Sequence, residues 1–483
     1  MTQQGRRPAR FSRPRTPHPP KRRTGPSRPP VEDPARQAAL DTLREVRARD
    51  AYANLLLPQL LRERRITGRD AALATELAYG ACRCIGLLDQ VLDACLERPL
   101  SKVEPGLLDV LRLGCYQLLR TRIPPHAAVD STVDLVRAEQ GSRVTGFVNA
   151  VLRKVSERDE ESWMRELAPD PAQDPIGNLA MREAHPRWVA RAFADSLGDT
   201  GDELRRALAA DNERPAVHLV ARPGEVTAEE LAAMTGGEVA PYSPYGVRLA
   251  AGAGDPAGLE PVRERLASVQ DEGSQLCAIA LTRPEVGDSG TGSDTRWLDL
   301  CAGPGGKSAL LAAVLGINGG RLEAVDKAPH RARLVERSTE GLPVTVHVGD
   351  GRQPASLGFA PGTFDRVLVD APCTGLGSLR RRPESRWRRQ PSDVGELTKL
   401  QRELLLTAVD LVRPGGVVGY VVCSPHLSET VGVAAEVVRR TGVTALDARA
   451  AFPDMPDLGD GPYVQLWPHR HGTDAMFCAL LRK

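Results

Sequence analysis

Cys373 and Cys423 are the residues of this chain best suited to covalent chemistry. Cys373 closes the stretch Phe364–Cys373, read FDRVLVDAPC, and Cys423 follows the apolar run Val417–Val422. A thiolate is both a good nucleophile and a good leaving group, so it suits a reaction in which a bond to sulfur forms and is later broken. Three aspartates accompany them. Asp326, Asp350 and Asp370 each end or directly follow a strand-like stretch. Each taken singly reads as a helix N-cap. Three in succession read as a set of acceptors for one ligand. A glycine-rich turn, Asp299-Leu300-Cys301-Ala302-Gly303-Pro304-Gly305-Gly306-Lys307-Ser308, completes the group. It matches neither the phosphate-binding loop of nucleotide hydrolases nor the plain dinucleotide pattern.

Glycines ahead of a helix N-terminus let backbone approach a ligand closely. A nucleoside-like ligand without a pyrophosphate fits such a turn, and S-adenosylmethionine is the expected cofactor. Asp326 is then placed for ribose hydroxyls and Asp350 for the adenine amino group. A thiolate beside a methyl donor suits a pyrimidine. Its addition at C6 makes C5 nucleophilic enough to take a methyl group, and a base then removes the C5 proton. The target base has to be unstacked to reach the pocket. On residue types alone, Cys373 reads first as the nucleophile.

These residues need a scaffold that lines up strand ends. From about residue 266 onward, strands alternate with helices: Trp297–Leu300, Leu322–Val325, Val344–Val348, Phe364–Val369 and Val417–Val422, with helices over Lys307–Leu315, His330–Arg337 and Leu397–Val412. That order predicts an α/β, doubly wound, mostly parallel Rossmann-like sheet, with ligands outside its carboxyl edge. Tyr463–Trp467 and Met476–Leu481 read as a closing strand pair, and the Gly/Ser-rich stretch 285–295 as a flexible loop. Residues 34–157 carry helical apolar stripes and read as an all-α bundle. Residues 158–265 read as a linker, rich in Asp, Glu and Pro over 156–186, followed by a small α+β module.

Charge and composition bound the rest. Residues 1–30 hold nine of the 64 basic residues and no acidic one, leaving 55 basic against 62 acidic side chains, a balance of −7. This proline-rich tail, residues 1–33, cannot build a core and reads as disordered. It is open whether it is an arm for nucleic-acid phosphates or a solubilising tail. Nine cysteines, odd in number and irregularly spaced, predict reduced thiols and a cytoplasmic chain. No metal site is expected. No apolar run approaches the ~18 residues of a membrane span. The segment 380–389, with six arginines and Trp387, is expected to meet RNA phosphates and stack a base.

With these motifs, the chain resembles the RNA 5-methylcytosine methyltransferases. The resemblance rests on Asp299–Ser308, Asp370–Cys373, Cys423-Ser424 with Glu429, Val269–Leu276 and His471–Asp474. The helical region ending Phe147–Lys154 is similar to the NusB-like RNA-binding domain, and the combination to the Sun/Fmu group of bacterial 16S ribosomal RNA methyltransferases. The resemblance covers residues 34–483. It implies Cys423 as nucleophile and gives Cys373 a role in product release. It also implies cofactor contacts from Cys301, Ala302, Gly303, Pro304, Gly305, Gly306, Lys307, Asp326, Asp350 and Asp370. Unassembled or single-stranded ribosomal RNA is the implied partner, with a monomeric enzyme. Two departures stand out: Val422 precedes Cys423 where the family usually has Thr, and Thr430 follows Glu429 where it usually has Asn. A non-catalytic RNA-binding factor is the competing class, and intact cysteines and strand-end aspartates argue against it. A transfer-RNA substrate is a further alternative.

Overall fold

The computed structural model describes residues 33–287 and 294–483. The basic tail, up to residue 32, and the centre of the Gly/Ser-rich loop, 288–293, lie outside the described residues. Helices α1 (Pro34–Arg49), α2 (Ala53–Glu63), α3 (Gly68–Cys95), α4 (Pro105–Arg120), α5 (Pro125–Gln140) and α6 (Thr145–Ser156) form the expected helical domain. Their starts are written locally. Asp33 accepts from the Arg36 amide ahead of Pro34, and Glu104 accepts from the Gly106 and Leu107 amides ahead of Pro105. Helix α3 is long and apolar enough by composition to cross a membrane. Here it is the central helix of the bundle, with Leu77, Leu87, Leu88 and Val91 buried in the domain core.

The stretch read as a linker is instead structured. It carries α7 (Glu160–Leu167) and α8 (Pro175–Arg182), followed by α9 (Arg187–Leu197) and α10 (Asp202–Ala210). The acidic residues and proline that suggested a linker are helix-starting devices. Asp159 caps the Ser162 amide, Asp174 caps the Gly177 amide, and Pro175 opens α8. Trp163 and Met164 complete the bundle core, whereas Ile176 and Ala180 pack with Leu376 and Leu379 from the loop after Cys373.

The α+β module comprises β1 (His218–Ala221), α11 (Ala228–Thr235), β2 (Glu238–Val239), β3 (Gly246–Arg248), α12 (Glu260–Arg263) and β4 (Ala267–Val269). Its antiparallel sheet has the order β2-β3-β1-β4. Then follow α13 (Glu272–Thr282), β5 (Arg296–Asp299), α14 (Gly306–Ile317), β6 (Arg321–Asp326), α15 (Pro329–Ser338), β7 (Val344–Val348), β8 (Phe364–Asp370), α16 (Ser385–Arg388), α17 (Asp393–Leu411), β9 (Val412–Val422), α18 (Val431–Thr441), β10 (Thr444–Leu446), β11 (Val464–Gln465), α19 (Pro468–His471) and β12 (Phe477–Arg482).

The large sheet has the order β10-β12-β9-β8-β5-β6-β7, with β11 pairing β12. Strands β5 to β9 are parallel neighbours; β12 is antiparallel to both β9 and β10. Alternate residues of β8 feed two cores. Leu368 packs with α13 and α14 on one face, and Val367 and Val369 with α17 and α18 on the other. The chain leaves β5 towards β6 and β7, then returns to β8 on its opposite side. That reversal opens a crevice beyond the carboxyl ends of β5 and β8.

Candidate active site

The glycine-rich turn follows β5 at this crevice. Ala302 donates to the Val325 carbonyl (2.8 Å), and the Gly305 amide closes onto the Ala302 carbonyl (2.8 Å). Gly305 has φ +113°, a conformation that penalises any side chain. A Cβ on Gly303 would stand 2.3 Å from Asp326 Oδ2, so the turn folds directly onto that carboxylate. No side chain caps the N-terminus of α14 that follows. Beneath the turn, buried Asp299 accepts from the Ser308 hydroxyl (2.6 Å) and the Cys301 amide (3.3 Å). Burial pushes its carboxyl up to about 7.

The three strand-end aspartates gather at this edge. Asp326 accepts from the Gly303 amide (3.0 Å) and the Ala328 amide (2.8 Å), with Arg331 Nε at 3.4 Å. Asp350 accepts from Arg352 Nη2 (2.6 Å) and Nε (2.9 Å) and from Lys327 Nζ (3.1 Å). The Arg352 guanidinium, with Lys327, holds the Asp350 carboxyl well below the usual carboxylate range. Asp370 accepts from Lys307 Nζ at 2.8 Å. Burial alone would favour neutral Lys307, but the Asp370 carboxylate outweighs it and raises the ammonium pKa. Lys307 is therefore a fixed cation and not a proton acceptor.

The cysteines meet across the next strand gap. Asp370 lies opposite Val421 in the β8–β9 register, so Cys373 and Cys423 leave adjacent strands almost level. Their sulfurs stand 3.4 Å apart, and both are partly exposed. Donation from Cys373 lowers the Cys423 pKa against burial and Asp370, with Lys307 and Arg382 assisting. The Cys423 sulfur, burial and Glu429 raise Cys373. Of the two thiols, Cys423 is thus the one whose surroundings favour the charged form.

The arginine-rich segment does not do what its composition predicts. Arg380 and Arg381 are ion-paired to Asp474 (2.8 and 3.0 Å) and Asp271 (3.3 and 2.7 Å), which lie in two of the motifs the sequence singled out. Arg386 is wholly buried and donates to the Ala184 carbonyl (3.0 Å), the Asp211 carbonyl (3.2 Å) and Asn212 Oδ1 (3.0 Å). Arg388 reaches the Val46 carbonyl (3.0 Å) and the Asp50 carbonyl (2.9 Å) of the helical domain. Trp387 donates to the Arg83 carbonyl (3.0 Å) and seats its ring on Gly86, where a Cβ would collide at 2.2 Å. It is therefore not a base-stacking platform. Arg382 remains exposed, its guanidinium 5.0 Å from the centre of the Tyr52 ring. His469 and His471 are likewise taken up by Glu203 (2.7 Å) and the Pro456 carbonyl (2.9 Å).

Sequence reasoning gave no role to a buried polar group behind the cysteines. Glu429, Thr374, Ser424 and Gln401 meet there, all nearly or fully inaccessible. Ser424 and Glu429 were named with the second cysteine motif but given no task, and Thr374 directly follows Cys373, a positional signal that could have drawn attention to it. Gln401 sits inside α17 with nothing in its neighbourhood to mark it.

Known proteins resemble this chain over most of its length. Residues 291–482 match the family model described as 16S rRNA methyltransferase RsmB/F, and residues 33–157 match the NusB family. A protein of Mycobacterium tuberculosis described only as a methyltransferase is 60% identical over 96% of this chain and 99% of its own length. A ribosomal RNA small subunit methyltransferase B of Salmonella arizonae is 31% identical over 93% of this chain and 98% of its own. Among solved structures, PH0851 superposes with a TM-score of 0.77 at 23% identity, covering 94% of this chain and 99% of that one, and so shares its fold.

Proposed function

The chain belongs to the 16S rRNA methyltransferase family RsmB/F, and from that premise we propose that it methylates C5 of a cytosine in small-subunit ribosomal RNA through a covalent cysteine adduct. The observation that carries this reading is the 3.4 Å contact between Cys373 and Cys423 at the carboxyl ends of adjacent strands.

S-adenosylmethionine, when bound, supplies the methyl group. The residues present fit it. The turn Cys301–Gly306 leads into an α14 N-terminus that no side chain caps, suited to a carboxylate. Asp326, Asp350 and Asp370 line the same edge, and Lys307 fixes the Asp370 side chain. Cys301, Ala302, Gly303, Pro304, Gly305, Gly306, Lys307 and the three aspartates would hold the cofactor.

Cys423 acts first. Its thiolate adds to C6 of the cytosine, and the displaced electron pair makes C5 nucleophilic. After C5 is methylated, loss of the C5 proton to a base restores the C5–C6 double bond and expels the Cys423 thiolate. Cys373 holds a proton beside the Cys423 sulfur while that sulfur is free. Once Cys423 is bonded to carbon its negative charge is gone, and the Cys373 thiol becomes more acidic. That change suits Cys373 to assist expulsion and product release. The NusB-like helical domain, docked by Trp387 and Arg388, is suited to hold the RNA.

Full-length protein incubated with S-adenosylmethionine and protein-free small-subunit ribosomal RNA should yield 5-methylcytosine in bisulfite sequencing. Methylation at any other base atom, or of transfer RNA alone, would overturn the proposal.

A further inference from the structure

Glu429 stands at the centre of the polar group behind the thiols. Its carboxylate is fully buried and faces no cation within ion-pairing distance among the described residues. It is satisfied entirely by hydrogen bonds. Oε1 accepts from the Thr374 amide (2.8 Å) and from Gln401 Nε2 (3.1 Å). Oε2 accepts from the Thr374 hydroxyl (2.5 Å) and the Ser424 hydroxyl (2.7 Å). The same Gln401 amide holds the Pro372 carbonyl (2.9 Å), and the Tyr420 hydroxyl holds the Glu429 carbonyl (2.6 Å).

Donors from both cysteine-bearing loops thus converge on one carboxylate. Thr374 is the residue after Cys373, and Ser424 the residue after Cys423. A Gly377 amide to Cys423 carbonyl bond (2.9 Å) and the Thr374 and Ser424 hydroxyls, 3.1 Å apart, also tie these loops. We propose that Glu429 is a positioning residue that clasps the two loops and sets the separation of the Cys373 and Cys423 sulfurs. This rests on the reading of Cys423 as nucleophile and Cys373 as its partner in release. A carboxylate suits the task because it offers acceptors only. Each of the four donors is then oriented the same way, with no alternative pattern to disorder the loops.

The chemistry of replacement follows. Alanine at 429 leaves buried donors without an acceptor and frees both loops. Glutamine keeps the shape. Its carbonyl can accept from the Thr374 amide and Gln401, while its NH2 donates to the hydroxyls of Thr374 and Ser424, which can each turn to accept.

A readout independent of catalysis is bridging by phenylarsine oxide, which needs two thiols held close together, set beside single-thiol alkylation by iodoacetamide. Wild type and Glu429→Gln should form the bridged Cys373–Cys423 adduct. Glu429→Ala should bridge at least about 10-fold more slowly while still being alkylated. Its methyl-transfer kcat should fall by about 100-fold, a loss typical of misplacing reacting groups by an ångström, with KM for S-adenosylmethionine little changed. Thr374→Val removes one hydroxyl donor from the clasp at constant volume and should show the same split in weaker form, even if Glu429→Ala fails to fold. Normal bridging and turnover in Glu429→Ala and Thr374→Val would overturn the proposal. So would a Glu429→Gln protein as impaired as the alanine variant. A wild type that bridges but transfers no methyl group would sink the proposed function and leave the clasp standing.

Discussion

At the residue scale, the two sulfurs 3.4 Å apart sit in unlike surroundings. The contact with Cys373, then Lys307 and Arg382, lowers the pKa of Cys423, whereas the Cys423 sulfur, burial and Glu429 raise that of Cys373. Cys423→Ala should abolish methyl transfer and leave no protein–RNA adduct on denaturing gels. Cys373→Ala should accumulate that adduct, since addition needs only Cys423. Activity in the first variant together with no adduct in the second would reverse the roles. A second residue-scale prediction concerns Asp299. Its folded carboxyl keeps a proton up to about pH 7, while the unfolded one releases it near 4. The stability this contributes is complete below about pH 4, shrinks as pH rises towards 7, and is lost above; the whole change does not exceed about 4 kcal/mol. Asp299→Asn, which can keep bonds to the Ser308 hydroxyl and the Cys301 amide, should flatten this slope in urea titrations from pH 4.5 to 8. An unchanged slope would show that Asp299 titrates normally in the folded state.

At the element scale, the sheet was readable because its strands are short apolar runs that stop at aspartate or cysteine. Runs such as Val367–Val369 and Val417–Val422 permit one identity, a strand buried on both faces. Their ends then place Asp326, Asp350, Asp370, Cys373 and Cys423 without further information. The segment 380–389 was misread for the opposite reason. Arginine in sequence carries no mark of whether its partner is solvent, phosphate, or a carboxylate or carbonyl far along the chain. Arg386 is matched by groups at 184, 211 and 212, and Arg381 by Asp271 and Asp474. Asp159 and Asp174 misled in the same way, since a cap and a linker share a composition. The two kinds of arginine should separate experimentally. Arg386→Ala strips a buried site of its donors and should lower the melting temperature by several degrees, with the salt dependence of RNA binding unchanged. Arg382→Ala should leave the melting temperature alone. If Arg382 meets a phosphate, that variant should reduce the slope of log affinity against log salt by about 0.7. Equal salt slopes in all three proteins would remove Arg382 from the RNA surface.

At the scale of the whole molecule, the loop carrying Cys373 continues directly into the segment that holds the helical domain. Leu376 and Leu379 pack under α8, α9 and α10, Arg386 fills the junction, and Trp387 and Arg388 reach α3 and the end of α1. Fewer than twenty residues therefore connect the Cys373 sulfur to the far domain. Such continuity predicts that the helical and catalytic parts unfold together and that loosening the dock reaches the thiols. Gly86→Ala tests this without touching either domain's own core. Its added methyl group would stand 2.2 Å from the Trp387 ring, and the indole has to move. Calorimetry should then resolve two unfolding transitions where the wild type shows one. Bridging of Cys373 and Cys423 by phenylarsine oxide should slow, although Gly86 and the cysteines lie in different domains. A single transition at an unchanged temperature, with bridging as fast as in the wild type, would mean that the helical domain is tethered to the catalytic centre without being mechanically part of it.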